Sequence, residues 1–519
     1  MGLLPYLAAM NRNEKWLAGA LITIKLLLPF LLSSNAFGLH RDEYLYFEQG
    51  RHLDWGFLEN PPLLGLLARI SAALGGSLFV IRLWPALFGA ATLWLLFRLV
   101  KGFGGGFYAL LLAGIGYLLS VFLRIHILFQ PTILDVFFWT AACLYLQRYL
   151  LHERRADLYA LAVVLALGWW GKYSVLFYIV ALFIALLLTP QRRLLGRRDF
   201  WLAAGLGALI VLPNVLWQYR HHWPLAHHMA ELRETQLKYL NKSDFLLEQV
   251  KMFLPAAAIL LGGLYWLLRH ARFRAFGWLY IGIIFLLVLG SAKGYYSVGI
   301  YPMLLAAGGV WLEEKLRRPV VLRVLVPLAM IVLGLPMIWL LLPLQPPAAM
   351  AAFNKRWGLA DKGVLKWEDQ HNHLLQQDFA DMIGWDELAR KAYDYYDALP
   401  SPLRDSTVIY ARNYGFAGSL LYHVEDTSFR RRVICDNGTF LLWIPDTLPY
   451  RHLLFVGESA PERGDEVFEH FEKIIRVDSC TNPYSRQYGS PILFFENADT
   501  AAFRMAERGL RAMKAEFGE

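Results

Sequence analysis

Acids and cations able to share one chemistry stand in five stretches, each set between or beside long apolar runs. The first is His40-Arg41-Asp42-Glu43-Tyr44-Leu45-Tyr46-Phe47-Glu48, followed by Asp54-Trp55-Gly56-Phe57-Leu58-Glu59-Asn60-Pro61-Pro62-Leu63. The second holds Arg124, His126 and Gln130-Pro131-Thr132, with Asp135 opening the next apolar run. Gly171-Lys172-Tyr173 is the third, and the long segment 219–248, with His227, His228 and Arg233, is the fourth. Lys293-Gly294-Tyr295-Tyr296 closes the set, with Tyr301-Pro302 beyond it. A cationic cluster can hold a phosphate by charge-assisted hydrogen bonds, and a nearby carboxylate can take a proton from an attacking hydroxyl. Together they describe transfer of a group from a lipid phosphate to an acceptor. Phosphate is the leaving group, and Lys or Arg stabilises its developing charge. An Asp-Glu pair is common in loops. Its position directly after an apolar run, ahead of a Pro-Pro that launches a short apolar helix, is the stronger signal.

The elements that must position these residues follow from hydropathy. Of 519 residues 57% are hydrophobic and 18% charged, with a mean hydropathy of +0.37; soluble domains carry about 25% charged residues, so a purely soluble enzyme is excluded. A bilayer core needs about 20 apolar residues per helix. Runs of that kind centre on 16–33, 78–98, 106–123, 133–151, 157–171, 173–189, 200–218, 250–268, 275–291, 299–313 and 320–343. The expectation is a polytopic α-helical membrane protein of about 11 spans over residues 1–345. The stretch 63–74 is too short to span and reads as an interfacial or re-entrant helix. Alternate short loops are basic: Arg12 and Lys15, Arg98 and Lys101, Arg154-Arg155, Arg192-Arg193 with Arg197-Arg198, Arg269 to Arg274, and Lys315 to Arg318. By the positive-inside rule the N-terminus is cytoplasmic, and an odd number of spans puts 346–519 outside. The net charge of +9 is then a topology signal near anionic lipid rather than a nucleic-acid surface. Lys25 inside the first run, and the lack of a small-residue cleavage pattern, argue against a cleavable leader.

After Pro343-Leu344-Gln345-Pro346-Pro347, a stiff connector, residues 346–519 read as a small α/β domain. Helices are expected over 385–399, 415–423 and 499–516, and strands over 406–411, 439–444, 452–456, 472–478 and 491–495. Neither a Gly-rich phosphate loop nor a Gly-x-Ser-x-Gly turn is present, so a scaffold or substrate-gating cap is expected here rather than a second active site. Cys143 lies in a span, whereas an oxidising compartment would permit a bridge between Cys435 and Cys480.

Together these motifs resemble the GT-C superfamily of integral membrane glycosyltransferases, specifically glycosyltransferase family 39. That family includes protein O-mannosyltransferases and the aminoarabinose transferases of lipid A. The resemblance is carried by Arg41-Asp42-Glu43-Tyr44, Glu59-Asn60-Pro61-Pro62-Leu63, Gln130-Pro131-Thr132 through Asp135 to Trp139, Gly171-Lys172-Tyr173 and Lys293-Gly294-Tyr295-Tyr296. It covers roughly 1–310, and Asp378 to Trp385, Asn413 to Gly418 and Asn482-Pro483-Tyr484 extend it to bacterial members with such a cap. It implies inverting transfer from a polyprenyl-phosphate-linked sugar to a lipid, glycan or protein acceptor, on the periplasmic face of a bacterial inner membrane, with no nucleic acid involved. Asp42 matches the catalytic base, and Glu43 would orient it or touch donor or acceptor. Lys172, Lys293 and Arg233 would bind the donor phosphate. Tyr44, Asn60, Arg124, His126, Asp135, Tyr295 and Tyr296 are candidate substrate contacts. Glu59 with His227 or His228 matches a divalent-cation position (Zn, Mg or Mn), although Asn60 stands where relatives often carry Lys or His. A secondary transporter or flippase is the competing class. Transporters place polar sites near the bilayer midplane on repeated, broken helices, whereas the span middles here are nearly free of charge. A membrane-anchored receptor would leave the loop acids and lysines without a role.

Overall fold

The computed structural model describes residues 10–235, 241–318, 320–461 and 466–519. All eleven apolar runs are helical. Helix α1 (Arg12–Leu32) opens on a capping box between Asn11 and Glu14. Two shorter helices follow, α2 (Arg41–Arg51) and α3 (Leu63–Ala73), before α4 (Leu78–Gly102). The bundle continues through α5 (Phe107–Leu118), α6 (Pro131–His152), α7 (Arg155–Gly171), α8 (Val175–Leu187), α9 (Arg198–Arg220), α10 (Pro224–Thr235), α11 (Lys242–Met252), α12 (Ala257–Arg269), α13 (Arg274–Leu289), α14 (Tyr301–Lys315) and α15 (Val320–Leu341). Among the described residues, α1, α4, α9 and α15 are each long and apolar enough to cross a membrane, and up to six such spans exist if each of two bent helix pairs is one. Those bends measure 109° after α8 and 73° between α11 and the helical stretch Leu254–Arg269. Apolar run length therefore overstates helix length at several places. The run 106–123, for example, ends its helix at Leu118 and re-enters as the short helix Phe122–Ile125. The expected interfacial stretch 63–74 is α3. Glycines let α14 approach both neighbours: a Cβ at Gly308 would lie 1.9 Å from the Ile259 carbonyl oxygen, and one at Gly309 2.7 Å from that of Ala109.

The C-terminal unit holds a five-stranded sheet in the order β2-β1-β3-β5-β4, with β1 (Thr407–Ala411), β2 (Val433–Ile434), β3 (His452–Val456), β4 (Phe471–Ser479) and β5 (Pro491–Ala498). β1 pairs in parallel with β2 and β3, whereas β5 pairs antiparallel with β3 and β4. β1 and β3 are buried apolar runs, as central strands covered on both faces must be. Helices α16 (Trp385–Asp397), α17 (Tyr414–His423) and α18 (Thr500–Ala515) fall where helical periodicity put them.

One expectation fails here, and one pairing left open by the sequence is decided. Residues 439–444 form a 3-10 turn, Gly438–Trp443, instead of a strand, because the Thr439 N–H bonds the Glu59 carboxylate rather than a strand neighbour. Cys435 and Cys480 are free. They follow β2 and β4, the two opposite edges of the sheet, so about four strand spacings of ~4.8 Å part them, against a limit of about 7 Å between bridged Cα atoms.

Candidate functional site

The site lies where the sheet unit meets α2, and the local sequence explains both partners. Helix α2 begins at His40, whose ring nitrogen accepts from the Asp42 N–H at 3.2 Å, while Glu43 reaches back to the His40 N–H at 2.6 Å. That cap throws Asp42 to the solvent side of the first turn. From the other side, the chain leaves β1 and enters α17 through Asn413, whose side chain accepts from the Gly415 and Phe416 N–H groups. β1 connects onward to β2 on one flank, and the chain later returns as β3 on the other. The carboxyl ends of β1 and β3 thus form a topological switch point, the usual place for a binding crevice in such sheets. Tyr414 sits there and donates its hydroxyl to Asp42 Oδ1 at 2.9 Å.

Side-chain nitrogens stand around the Asp42 carboxylate. Gln130 Nε2 is 3.4 Å from Oδ2, Arg41 Nε 3.5 Å from Oδ1 and His40 Nδ1 3.9 Å from Oδ2. Burial alone would raise the Asp42 carboxyl, but His40 and Arg41, with the Tyr414 hydroxyl, outweigh it and hold it below the ordinary carboxylate range. Burial, with Asp42 beside it, pushes the Tyr414 phenol well above its usual value, so it stays a donor. The Asp42 side chain is 26% exposed, enough to meet a ligand.

Two lysines reach the same region. Lys172, which ends α7, bonds Thr132 Oγ1 at 3.3 Å and lies 5.2 Å and 4.7 Å from the ring centroids of Tyr295 and Tyr296. Tyr295 is within electrostatic reach of Asp42, and Lys172 is within reach of both Lys293 and Asp135. Asp135 is buried at 1% exposure, with neither carboxylate oxygen hydrogen-bonded. Lys293 Nζ stands 3.5 Å from Glu368 Oε1 of the sheet unit. Glu368 continues to Arg486 at 3.6 Å, Arg486 to Asp381 at 3.0 Å, and Asp381 to His40 at 3.8 Å. A chain of acidic and basic side chains therefore runs from Asp42 to Lys293. Arg124 joins it through Asp378 at 3.3 Å, with its guanidinium 3.9 Å from the Phe379 ring centroid.

Other expected contacts lie elsewhere. Glu43 is fully buried and accepts backbone N–H groups from His40 and from Phe129, the latter at 2.5 Å, so its carboxylate fixes the two segments that carry Asp42 and Gln130. Tyr44 turns away from the mouth; its hydroxyl meets His423 Nε2 at 2.9 Å and its ring packs on Trp385 and Tyr422. Asn60 is buried against Gln49 and the Pro61 carbonyl. His126 is completely buried on the Phe122 carbonyl at 2.8 Å and packs against Lys25 and Gly89. Arg233 is exposed on α10, part of the segment 219–248, of which 236–240 fall outside the described residues. The cation site Glu59/His227/His228 is not assembled. Glu59 spends its carboxylate on the Thr439 N–H at 2.7 Å, the Thr439 hydroxyl and Gln49 Nε2 at 3.2 Å. His227 packs its ring edge on Phe517. No group of three or more His, Cys, Asp or Glu able to hold a metal occurs among the described residues. Sequence reasoning missed Tyr414, Glu368 and Arg486 as site residues. The Asn413-Tyr414-Gly415 turn was the one visible hint, since a capping Asn there must present its neighbour at a strand's carboxyl end.

Residues 59–217 match the family described as dolichyl-phosphate-mannose-protein mannosyltransferase. Over 213 residues the chain is 30% identical to the lipid A galacturonosyltransferase RgtD of Rhizobium johnstonii; the matched stretch is 39% of this chain and 43% of that one, so it spans less than half of the relative's length. The fold is similar to that of ArnT from Cupriavidus metallidurans. The undecaprenyl-phosphate-bound structure superposes with a TM-score of 0.58 at 13% identity, covering 94% of this chain and 98% of that one. For the apo structure the TM-score is 0.59 at 15% identity, with 92% and 97% covered. Family segment, sequence relative and a fold shared along nearly the whole length agree in one direction: the chain is similar to membrane glycosyltransferases of the GT-C type.

Proposed function

We propose that this protein is an inverting glycosyltransferase that moves a sugar from a polyprenyl-phosphate donor to an acceptor at the periplasmic face of a bacterial inner membrane. In this reading residues 1–345 form eleven spans with the N-terminus cytoplasmic, and 346–519 form a periplasmic domain that closes over the site. One observation carries it: the Asp42 carboxyl is held below the ordinary carboxylate range, and Tyr295, within electrostatic reach of Asp42, lies 5.2 Å from Lys172, which is in turn within reach of Lys293. Lys172, anchored on Thr132 and flanked by two tyrosine rings, and Lys293 hold the donor phosphate. The two ammonium groups stabilise charge on the departing phosphate oxygen. Asp42 takes the proton of an acceptor hydroxyl, whose oxygen attacks the anomeric carbon from the face opposite the phosphate, which inverts that carbon. For an acceptor phosphate, already ionised, Asp42 positions rather than deprotonates. Tyr414 and Gln130 fix the carboxylate's two oxygens, and Glu43 holds the segments carrying them. The names of the relatives, a lipid A galacturonosyltransferase and a transferase bound to undecaprenyl phosphate, support a lipid-linked donor and make lipid A the first acceptor to test.

The test is mass spectrometry of envelope lipids and glycoproteins from cells that make the wild type or Asp42→Asn. A sugar mass present with the wild type and lost with the variant, while purified Asp42→Asn still unfolds at the wild-type temperature, supports the assignment. Activity above a few per cent in Asp42→Asn removes Asp42 from the role.

A further inference from the structure

The sheet unit places a carboxylate on a cation that the proposed mechanism needs for phosphate. Glu368 Oε1 lies 3.5 Å from Lys293 Nζ. Glu368 sits in a small hairpin, closed by the Lys366–Asn372 bridge and by Trp367 stacked 3.5 Å over His373, which in turn meets Asp369 at 2.8 Å. Two groups besides Lys293 hold the same carboxylate: Gln377 Nε2 donates to Oε2 at 3.1 Å, and Arg486 stands 3.6 Å from that oxygen. Lys293 therefore contacts one oxygen, and the partners that would keep Glu368 satisfied without Lys293 contact the other. The side chain is 47% exposed, so a rotation needs no repacking of a core.

Resting on the donor-binding role of Lys293, we infer that Glu368 is a built-in surrogate for the lipid phosphate: it occupies Lys293 when the site is empty and competes with the phosphate for it. When a phosphate arrives, Lys293 exchanges a carboxylate oxygen for a phosphate oxygen, and Glu368 remains on Gln377 and Arg486. The exchange matters more after transfer than before it. A donor phosphodiester carries one negative charge, whereas the released lipid phosphate is a monoester carrying about 1.5–2 at neutral pH, as phosphomonoesters do. Two lysines would hold that product more tightly than the donor. Glu368, a few ångströms away and still charged, repels the product and reclaims Lys293 as it leaves. The residue thus lowers affinity for lipid phosphate and speeds its release.

The test measures binding of undecaprenyl phosphate, in detergent micelles, to full-length wild type, Glu368→Gln, Glu368→Asp and Lys293→Gln. Glu368→Gln keeps the side chain's shape and its contact with Gln377 while removing the competing charge. Because a partly exposed ion pair is worth about 0.2–1 kcal/mol, the expected gain in affinity is about 1.5- to 5-fold, through slower dissociation. Glu368→Asp keeps the charge and stays near the wild-type value, and Lys293→Gln binds more weakly. If Lys293→Gln weakens binding but Glu368→Gln leaves it unchanged or weaker, the surrogate role is overturned and the donor site stands. If Lys293→Gln has no effect, the donor-site assignment falls, and this inference with it.

Discussion

Thr439 ties the sheet unit to the segment between α2 and α3, and replacing its hydroxyl gives a prediction that needs no substrate. The hydroxyl donates to the Glu59 carboxylate and accepts from the Leu58 N–H at 3.0 Å; Thr439 itself is 1% exposed. Thr439→Val keeps the volume and removes both bonds. Losing a bond to a charged acceptor costs about 1.5–3 kcal/mol, and a buried N–H left unpaired costs about 1–3 kcal/mol. Glu59 is only half-buried and keeps the Thr439 N–H, which favours the lower half of each range, about 3–4 kcal/mol in sum. At about 1.4 kcal/mol per tenfold, local opening of this junction becomes roughly 10²- to 10³-fold more frequent. Hydrogen–deuterium exchange at the Leu58 and Thr439 amides should accelerate by that factor, while amides of β3 and β5 keep their wild-type rates. Unchanged exchange at Leu58 would refute the claim that the hydroxyl holds the two units together.

Further outcomes follow from the same geometry. Tyr414→Phe removes the hydroxyl that helps depress the Asp42 carboxyl, so the acidic limb of kcat/KM moves to higher pH; a bond to a charged group of about 1.5–3 kcal/mol corresponds to about 1–2 pH units. A profile that loses amplitude without moving would show that Tyr414 serves packing alone. Lys172→Gln should lower kcat/KM by about 10²–10³-fold, the usual loss when one donor to a developing oxyanion is removed, measured with the donor found by mass spectrometry. Cys435 and Cys480 should both alkylate fully on denaturation without reductant, because opposite sheet edges hold them; a mass two hydrogens short, with neither thiol labelled, would contradict the strand order.

Hydropathy located the eleven apolar helices and the short α3, because a bilayer-length apolar run has few other uses, but it passed over α2 and α10, whose sequences are polar. It could not tell how many helices cross, since bends such as the 73° break after α11 leave hydropathy almost unchanged. Asp42, Lys172 and Lys293 were legible because charged groups beside apolar runs are costly without a purpose. Candidates that the structure places away from Asp42 lie there for other reasons. Tyr44 and Glu59 sit among these charges in sequence, yet the sheet unit packs against them, and a sequence does not reveal that a soluble-looking domain will cover such loops; Asn60 turns instead onto Gln49. His126 reads as a loop ligand and is a core residue, fixed by the Phe122 carbonyl that a bent re-entrant turn exposes. The strand expected at 439–444 has an apolar pattern suited to a sheet, but Thr439 took its partner from Glu59, 380 positions away in the chain.

The bond between Tyr414 and Asp42 joins residues 372 positions apart, which sets a timetable for synthesis. At about 5–20 residues per second, a ribosome adds Tyr414 roughly 20–75 s after Asp42. For that interval the Asp42 carboxylate has its chain neighbours His40 and Arg41 but lacks the Tyr414 hydroxyl. Only when β1 has formed and Asn413 has started its helix does the acid acquire its clamp, so a segment made late arms one made early.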